Sequence, residues 1–145
     1  MVLYDNQAVA NNHERRTTQR LGPEQIVRLA QALPADDRLL LEQRFGDGLA
    51  VVDLARRSRR SAQTLSRRID RLTDRLASAE FRFTVMHQDQ LPKKLRKTAT
   101  LLFVHGRSLR DTARLTRCSL HRIRCDRAML QTLARVELAR NSVHG

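Results

Sequence analysis

Residues 53–61 read DLARRSRRS, and residues 111–119 read DTARLTRCS. Both fit one frame, Asp-x-Ala-Arg-x-x-Arg-x-Ser, and the second copy starts 58 residues after the first. At that offset, residues 33–72 align with 91–130 without a gap. Eleven positions are then identical: Leu33/Leu91, Pro34/Pro92, Arg38/Arg96, Phe45/Phe103, Gly48/Gly106, Asp53/Asp111, Ala55/Ala113, Arg56/Arg114, Arg59/Arg117, Ser61/Ser119 and Leu72/Leu130. Chance gives roughly three or four identities over such a window, so the pattern reads as a duplicated small unit. Two copies do not make a solenoid, which needs at least three stacked repeats.

Both copies parse alike. Leu-Pro opens a helix, because proline fits the first helical turn; the spacing predicts helices over 35–45 and 93–104. Gly46 and Gly48 end the first, and Gly106 ends the second, since glycine accepts the left-handed conformation that closes helices. A short helix follows, over 50–57 and 109–115, with a Ser-x-x-Asp capping pattern at Ser108 and Asp111. Three residues then intervene, Ser58-Arg59-Arg60 or Thr116-Arg117-Cys118. Ser61 and Ser119 next provide N-caps for longer helices over 61–77 and 119–137. In the first copy Leu65, Ile69, Leu72 and Leu76 form an unbroken apolar stripe. In the second, Ile123, Leu130, Leu133 and Val136 form a poorer one, and Arg127 stands where Ile69 stands. A short helix, a tight turn and a longer helix with a polar outer face are the parts of a helix-turn-helix.

Composition agrees with an all-α fold. Only 3% of residues are aromatic and none is Trp, so the cores must come from Leu, Val, Ile and Ala, with Phe45 and Phe103 as rare large fillers. The expected organisation is an arm over 1–20, a first unit over 21–78, a linker over 79–90, a second unit over 91–140 and a tail over 141–145. Residues 23–32 read as an amphipathic helix leading the first unit, with no clean counterpart in the second. Phe81, Phe83, Val85 and Met86 nearly alternate. The linker is therefore expected as an extended strap or the end of a long helix, its apolar side chains packing between the units.

The net charge is +13, with 25 Arg against 3 Lys. A domain this basic meets a polyanion, and the arginine fork matches phosphates and guanine edges. Charge divides unevenly. Residues 33–76 carry 10 basic and 7 acidic side chains, net +3; residues 91–140 carry 13 and 3, net +10.

The stretch LPADDRLLLEQRFGDGLAVVDLARRSRRSAQTLSRRIDRLTDRL, 33–76, resembles region 4 of the sigma-70-family RNA polymerase sigma factors, most of all the extracytoplasmic-function type. The resemblance rests on Leu33-Pro34, Asp37-Arg38, Leu40-Leu41, Arg44-Phe45, Gly48, Asp53-Leu54-Ala55, Ser61, Thr64-Leu65, Arg68-Ile69 and Arg71. The second copy is more diverged. In that family the module enters the major groove of promoter DNA and touches the polymerase. By position, the resemblance implies a base-reading face of Ala62, Gln63, Ser66 and Arg67, and of Leu120, His121, Arg124 and Cys125. The family's turn usually carries a Leu-Gly-Ile-like trio. Here Arg59 and Arg117 occupy the glycine place, which predicts a positive φ at an arginine, a cost of about 1 kcal/mol. No stretch resembling the family's promoter-melting region precedes residue 33, so the resemblance implies a region 4-like module rather than a whole sigma factor.

The expected function is that of a transcriptional regulator binding duplex DNA, cytoplasmic and nucleoid-associated. The DNA-contacting residues are expected to be Arg59, Arg60, Gln63, Ser66, Arg67, Arg71, Arg117, His121, Arg122 and Arg124. Turn residues meet phosphate and the second helix enters the groove. The alternative is a protein-binding module docking on RNA polymerase core or a sigma factor without reading sequence. RNA is less suited, for want of aromatics to stack single-stranded bases. The histidines are scattered without ligand spacing, and Cys118 and Cys125 lack partners for a metal site. No nucleophile–base constellation stands at a Gly-rich elbow. No metal, cofactor, catalytic residue or small-molecule substrate is therefore expected. Cys118 is expected as a small buried hydrophobe. No apolar run approaches the length of a membrane span.

Overall fold

The computed structural model describes residues 21–144. The expected arm over 1–20 and the final Gly145 lie outside them. Eight α-helices follow in order, with no strand among the described residues: α1 Pro23–Ala30, α2 Ala35–Leu41, α3 Val51–Ser58, α4 Ala62–Ala77, α5 Ala79–His87, α6 Lys93–Ala99, α7 Leu109–Thr116 and α8 Leu120–His144. The fold is all-α.

The 58-residue offset is written into the backbone. Helix α2 widens into a π turn over Glu42–Gly46, and α6 into one over Thr100–Val104. The bond from Asp47 N–H to the Glu42 carbonyl (2.9 Å) has its counterpart between His105 and Thr100 (2.9 Å). Gly48 and Gly106 follow at φ 73° and 66°. Arg59 and Arg117 are the described non-glycine residues at positive φ, 55° and 56°. This is the conformation expected from their position in the frame. It lets the next residue reach back: Arg60 N–H donates to the Ala55 carbonyl (3.1 Å) and Cys118 N–H to that of Ala113 (3.0 Å). Such bonds close a helix C-terminus. Ser58 Oγ donates to the Leu54 carbonyl (2.9 Å) and Thr116 Oγ1 to that of Thr112 (2.7 Å), satisfying one more carbonyl in each copy.

Residues 79–90 do not form an extended strap, nor do they continue α4. Ser78, at φ −73° and ψ 147°, turns the chain sharply. Its Oγ donates to the Arg75 carbonyl (2.8 Å) and accepts from Phe81 N–H (3.2 Å), so one side chain closes α4 and caps α5. Helix α5 then precedes α6 as α1 precedes α2, and Thr84 is buried where the offset places Ile26. Its hydroxyl is satisfied by the Glu80 carbonyl (2.8 Å), which makes a polar side chain tolerable there. The second copy therefore has a leading helix. Polar Thr84 and the near-alternation of its neighbours conceal it in the sequence.

The interior is continuous through this corner. Leu41, Leu76 and Phe81 have no exposed surface, and they share one core with Ile26, Leu54, Leu65, Ile69, Leu72 and, from the second copy, Val104. Phe83 packs instead on a smaller core of Leu91, Ala99 and Leu130. Helix α5 thus feeds both cores, while Met86, expected to pack inward, is 70% exposed.

Arg75 ties the copies further. Its Nη1 donates to the Val104 carbonyl at 3.2 Å, near the end of the π turn. A cation there complements the negative end of the helix dipole. Burial lowers its pKa from the ordinary arginine value and nearby Arg71 adds to the lowering, while Asp37 opposes them. The guanidinium lies where a Cβ on Gly106 would stand, whereas a Cβ on Gly48 meets nothing within 4 Å. Both glycines are at positive φ, so alanine strains either. We expect Gly48→Ala to cost about 1 kcal/mol, and Gly106→Ala about twice that by also displacing Arg75. Urea denaturation of the two variants measures the difference, and equal losses would deny Arg75 its role in joining the copies.

Two further expectations are corrected. The last helix does not stop at 137 with a tail after 140; α8 runs to His144. Its inward stripe is Ile123, Leu130 and Ala134 with Asp126, rather than one including Leu133 and Val136, which are 38% and 51% exposed.

Candidate nucleic-acid interface

Two surfaces related by the offset are built alike. In the first, α3 ends at Arg59, and Ser61 Oγ accepts from Thr64 N–H (3.1 Å) to start α4. With Leu65, Ile69, Leu72 and Leu76 inward, helical geometry turns Gln63, Ser66, Arg67, Asp70, Arg71 and Asp74 outward, and all six are exposed. Arg56, Arg57, Arg59 and Arg60 flank them from α3 and the turn, also exposed. In the second, Ser119 Oγ accepts from Arg122 N–H (3.1 Å), and His121, Arg122, Arg124, Cys125 and Arg127 face solvent. Arg117 stands exposed in the turn, with Arg110 and Arg114 beside it on α7.

All ten residues expected to contact DNA are therefore on the surface: Arg59, Arg60, Gln63, Ser66, Arg67 and Arg71 in one copy, Arg117, His121, Arg122 and Arg124 in the other. The decisive electrostatic fact is what they are not bound to. Among the described residues, Arg56, Arg57, Arg59, Arg60, Arg67 and Arg71 have no carboxylate within 4.0 Å, and neither do Arg117, Arg124 and Arg127. Asp70 and Asp74, one turn from Arg67 and Arg71 on the same helix face, make no ion pair with any described residue either. The Arg71 Nε instead donates to the Arg67 carbonyl at 3.4 Å. The N-termini of α4 and α8 point their partial positive charge toward the same surfaces.

Other cations of the same stretches have internal work. Arg68 holds Asp37 at 2.6 Å, half-buried, and pins α4 on α2. Arg122, expected among the DNA contacts, lies 3.3 Å from Asp126, whose side chain is only 12% exposed. This pair keeps a nearly buried carboxylate satisfied, so Arg122 is less free than Arg124. Arg114 is 3.5 Å from Asp111 at the surface, a contact worth little. Cys118 is half-buried rather than buried, its Sγ 3.6 Å from the Thr116 carbonyl, and Cys125 Sγ lies 3.6 Å from His121 Nε2.

Sequence reasoning missed the exposed Arg127 of α8. The signal was present: placing Arg127 at the Ile69 position is a conflict that vanishes if Asp126 turns inward instead. Among the described residues, no group of three or more His, Cys, Asp and Glu side chains is placed to hold a metal ion. No described helix is long and apolar enough to cross a membrane. The chain matches no family model, and no curated protein or solved structure is significantly similar to it.

Proposed function

We propose that the chain is a transcriptional regulator that binds duplex DNA through two helix-turn-helix units resembling sigma factor region 4. The units would be α3 with α4 and α7 with α8. The observation that carries this reading is the set of outward arginines on both surfaces that meet no carboxylate among the described residues, of which Arg59 and Arg117 coincide at the 58-residue offset. Uncompensated cations clustered on two faces repel one another, a cost that a phosphate backbone removes. Arg59, Arg60 and Arg117, in the turns, take the phosphate-contacting role. Gln63, Ser66 and Arg67 on α4, with His121 and Arg124 on α8, enter the groove. Arg71 and Arg122 lie at the margins, and the pairing with Asp126 makes Arg122 the weaker contributor. Binding to polymerase core or a sigma factor without DNA is the competing reading, and it gives the free arginines no comparable task.

Selection of bound sequences from random duplexes, followed by mobility shifts, tests the proposal. Arg67→Ala and Arg124→Ala should each relax the preference at one or two base pairs, by about 1–3 kcal/mol per contacted base. Unchanged preference in both variants contradicts base reading. Capture of polymerase or a sigma factor at high salt, with no DNA affinity, supports the competing reading.

A further inference from the structure

Helix α8 carries an apolar line that the other described residues leave uncovered. Met129 is 46% exposed, Leu133 38%, Val136 51% and Val143 80%. With Arg140 they occupy 129, 133, 136, 140 and 143, alternating steps of four and three residues. That is the seam spacing of a coiled coil, the d, a, d, a and d positions of successive heptads. The seam occupies the C-terminal half of the helix, and Arg122, one heptad before Met129, stands in line with it. At about 100° per residue it lies roughly 100° from Ala128 and about 140° from Arg124 on one side. On the other it is turned away from Ala134 and Glu137, which face α5, where Glu137 Oε1 is 3.5 Å from His87 Nε2. Leu138, also exposed, stands on the α5 side beside Met86 and takes no part.

We propose that this seam pairs with the same seam of a second copy, giving a two-fold dimer through the C-terminal half of α8. Three observations select a second copy as the occupant. Heptad spacing makes a surface complementary to itself. Charge permits the approach: residues 129–143 hold Arg135 and Arg140 against Glu137, net +1 in a chain of +13. Two copies therefore meet here beyond Arg122, which lies about 10 Å back along the helix from Met129, and Arg140 is a polar residue at a seam position, the kind that fixes register. The area fits a reversible pair: two such seams with their flanks cover on the order of 1,000 Å², the lower bound for a specific interface. The dimer is thus concentration-dependent, and it doubles the number of arginine faces in one particle.

Sedimentation equilibrium of the full chain tests this, in reductant, without DNA, up to a few hundred micromolar. The expected result is a reversible monomer–dimer equilibrium, with a midpoint of about 10–100 µM for so small an interface. The double variant Leu133→Asp/Val136→Asp changes exposed positions, so its helical circular dichroism should persist while association weakens at least tenfold. Val52→Asp, an exposed apolar residue on α3, should leave association unchanged. A chain that stays monomeric throughout the range, whatever else covers the seam, overturns the proposal, and so does a dimer indifferent to the double variant. DNA is absent from the experiment, so either result leaves the DNA-binding reading to its own test.

Discussion

Replacing Phe81 by alanine is expected to shift the urea unfolding of the whole chain, in one transition, by about 3–5 kcal/mol. The residue has no exposed surface and belongs to the core that contains Leu41, Leu76 and Val104. Loss of a buried phenyl group removes its transfer free energy and leaves a cavity that helices joined through the Ser78 corner cannot readily close. Against a total of about 5–15 kcal/mol for a natural domain, this is the largest single-residue effect anticipated here. With a urea dependence of about 2 kcal/mol per molar, the midpoint falls by about 2 M. Phe83→Ala, in the smaller core and only partly buried, should cost less. Far-UV circular dichroism follows both. Two separate transitions, only one of which moves with Phe81, would show that the copies fold independently.

The turn arginines should trade stability against binding. Arg59 and Arg117 sit at φ 55° and 56°, where glycine is free of strain. The triple variant Arg59→Gly/Arg60→Ala/Arg117→Gly is therefore expected to gain about 1 kcal/mol for each relieved residue. The same change removes three cations from the surfaces that would meet phosphate. Affinity for duplex DNA should drop on the order of a hundredfold near 0.1 M salt, with the salt dependence shallower by about three released counterions. Loss in affinity combined with a gain in stability separates a binding role from a folding role. A triple variant that is both less stable and unaltered in binding contradicts the assignment.

Much of the architecture is legible from particular residues. Leu-Pro, the paired glycines and the capping serines each constrain backbone locally, so they place helix starts and stops without knowledge of packing. The left-handed arginines are readable for the same reason: the closing helix demands positive φ there, whatever side chain fills the place. Features that depend on neighbours remote in sequence are harder to see. Helix α5 hides because Thr84 occupies an apolar position and bonds back to Glu80. The inward face of α8 hides because Ala134 is small and Asp126 is charged, while Leu133 and Val136 offer a more hydrophobic stripe that faces outward. Arg75 reads as another surface cation, and only the approach of Val104 and Gly106 gives it its place. For the candidate interface, exposure of the expected residues on α4 and α8 follows from helical periodicity, and that of Arg59, Arg60 and Arg117 from their place in the turns. The division of labour among the cations depends on Asp37, remote in sequence from its partner Arg68, and on Asp126, whose inward turn is signalled only by Arg127 at the Ile69 position.

The central claim is that the outward arginines of both copies exist to meet a duplex polyanion. It is tested most directly by the salt dependence of binding between the full chain and a labelled random-sequence duplex, followed by fluorescence anisotropy. With about six phosphates neutralised, affinity should fall on the order of a thousandfold between 50 and 200 mM monovalent salt. Absence of binding at 50 mM salt, or an affinity that barely changes across that range, would contradict it.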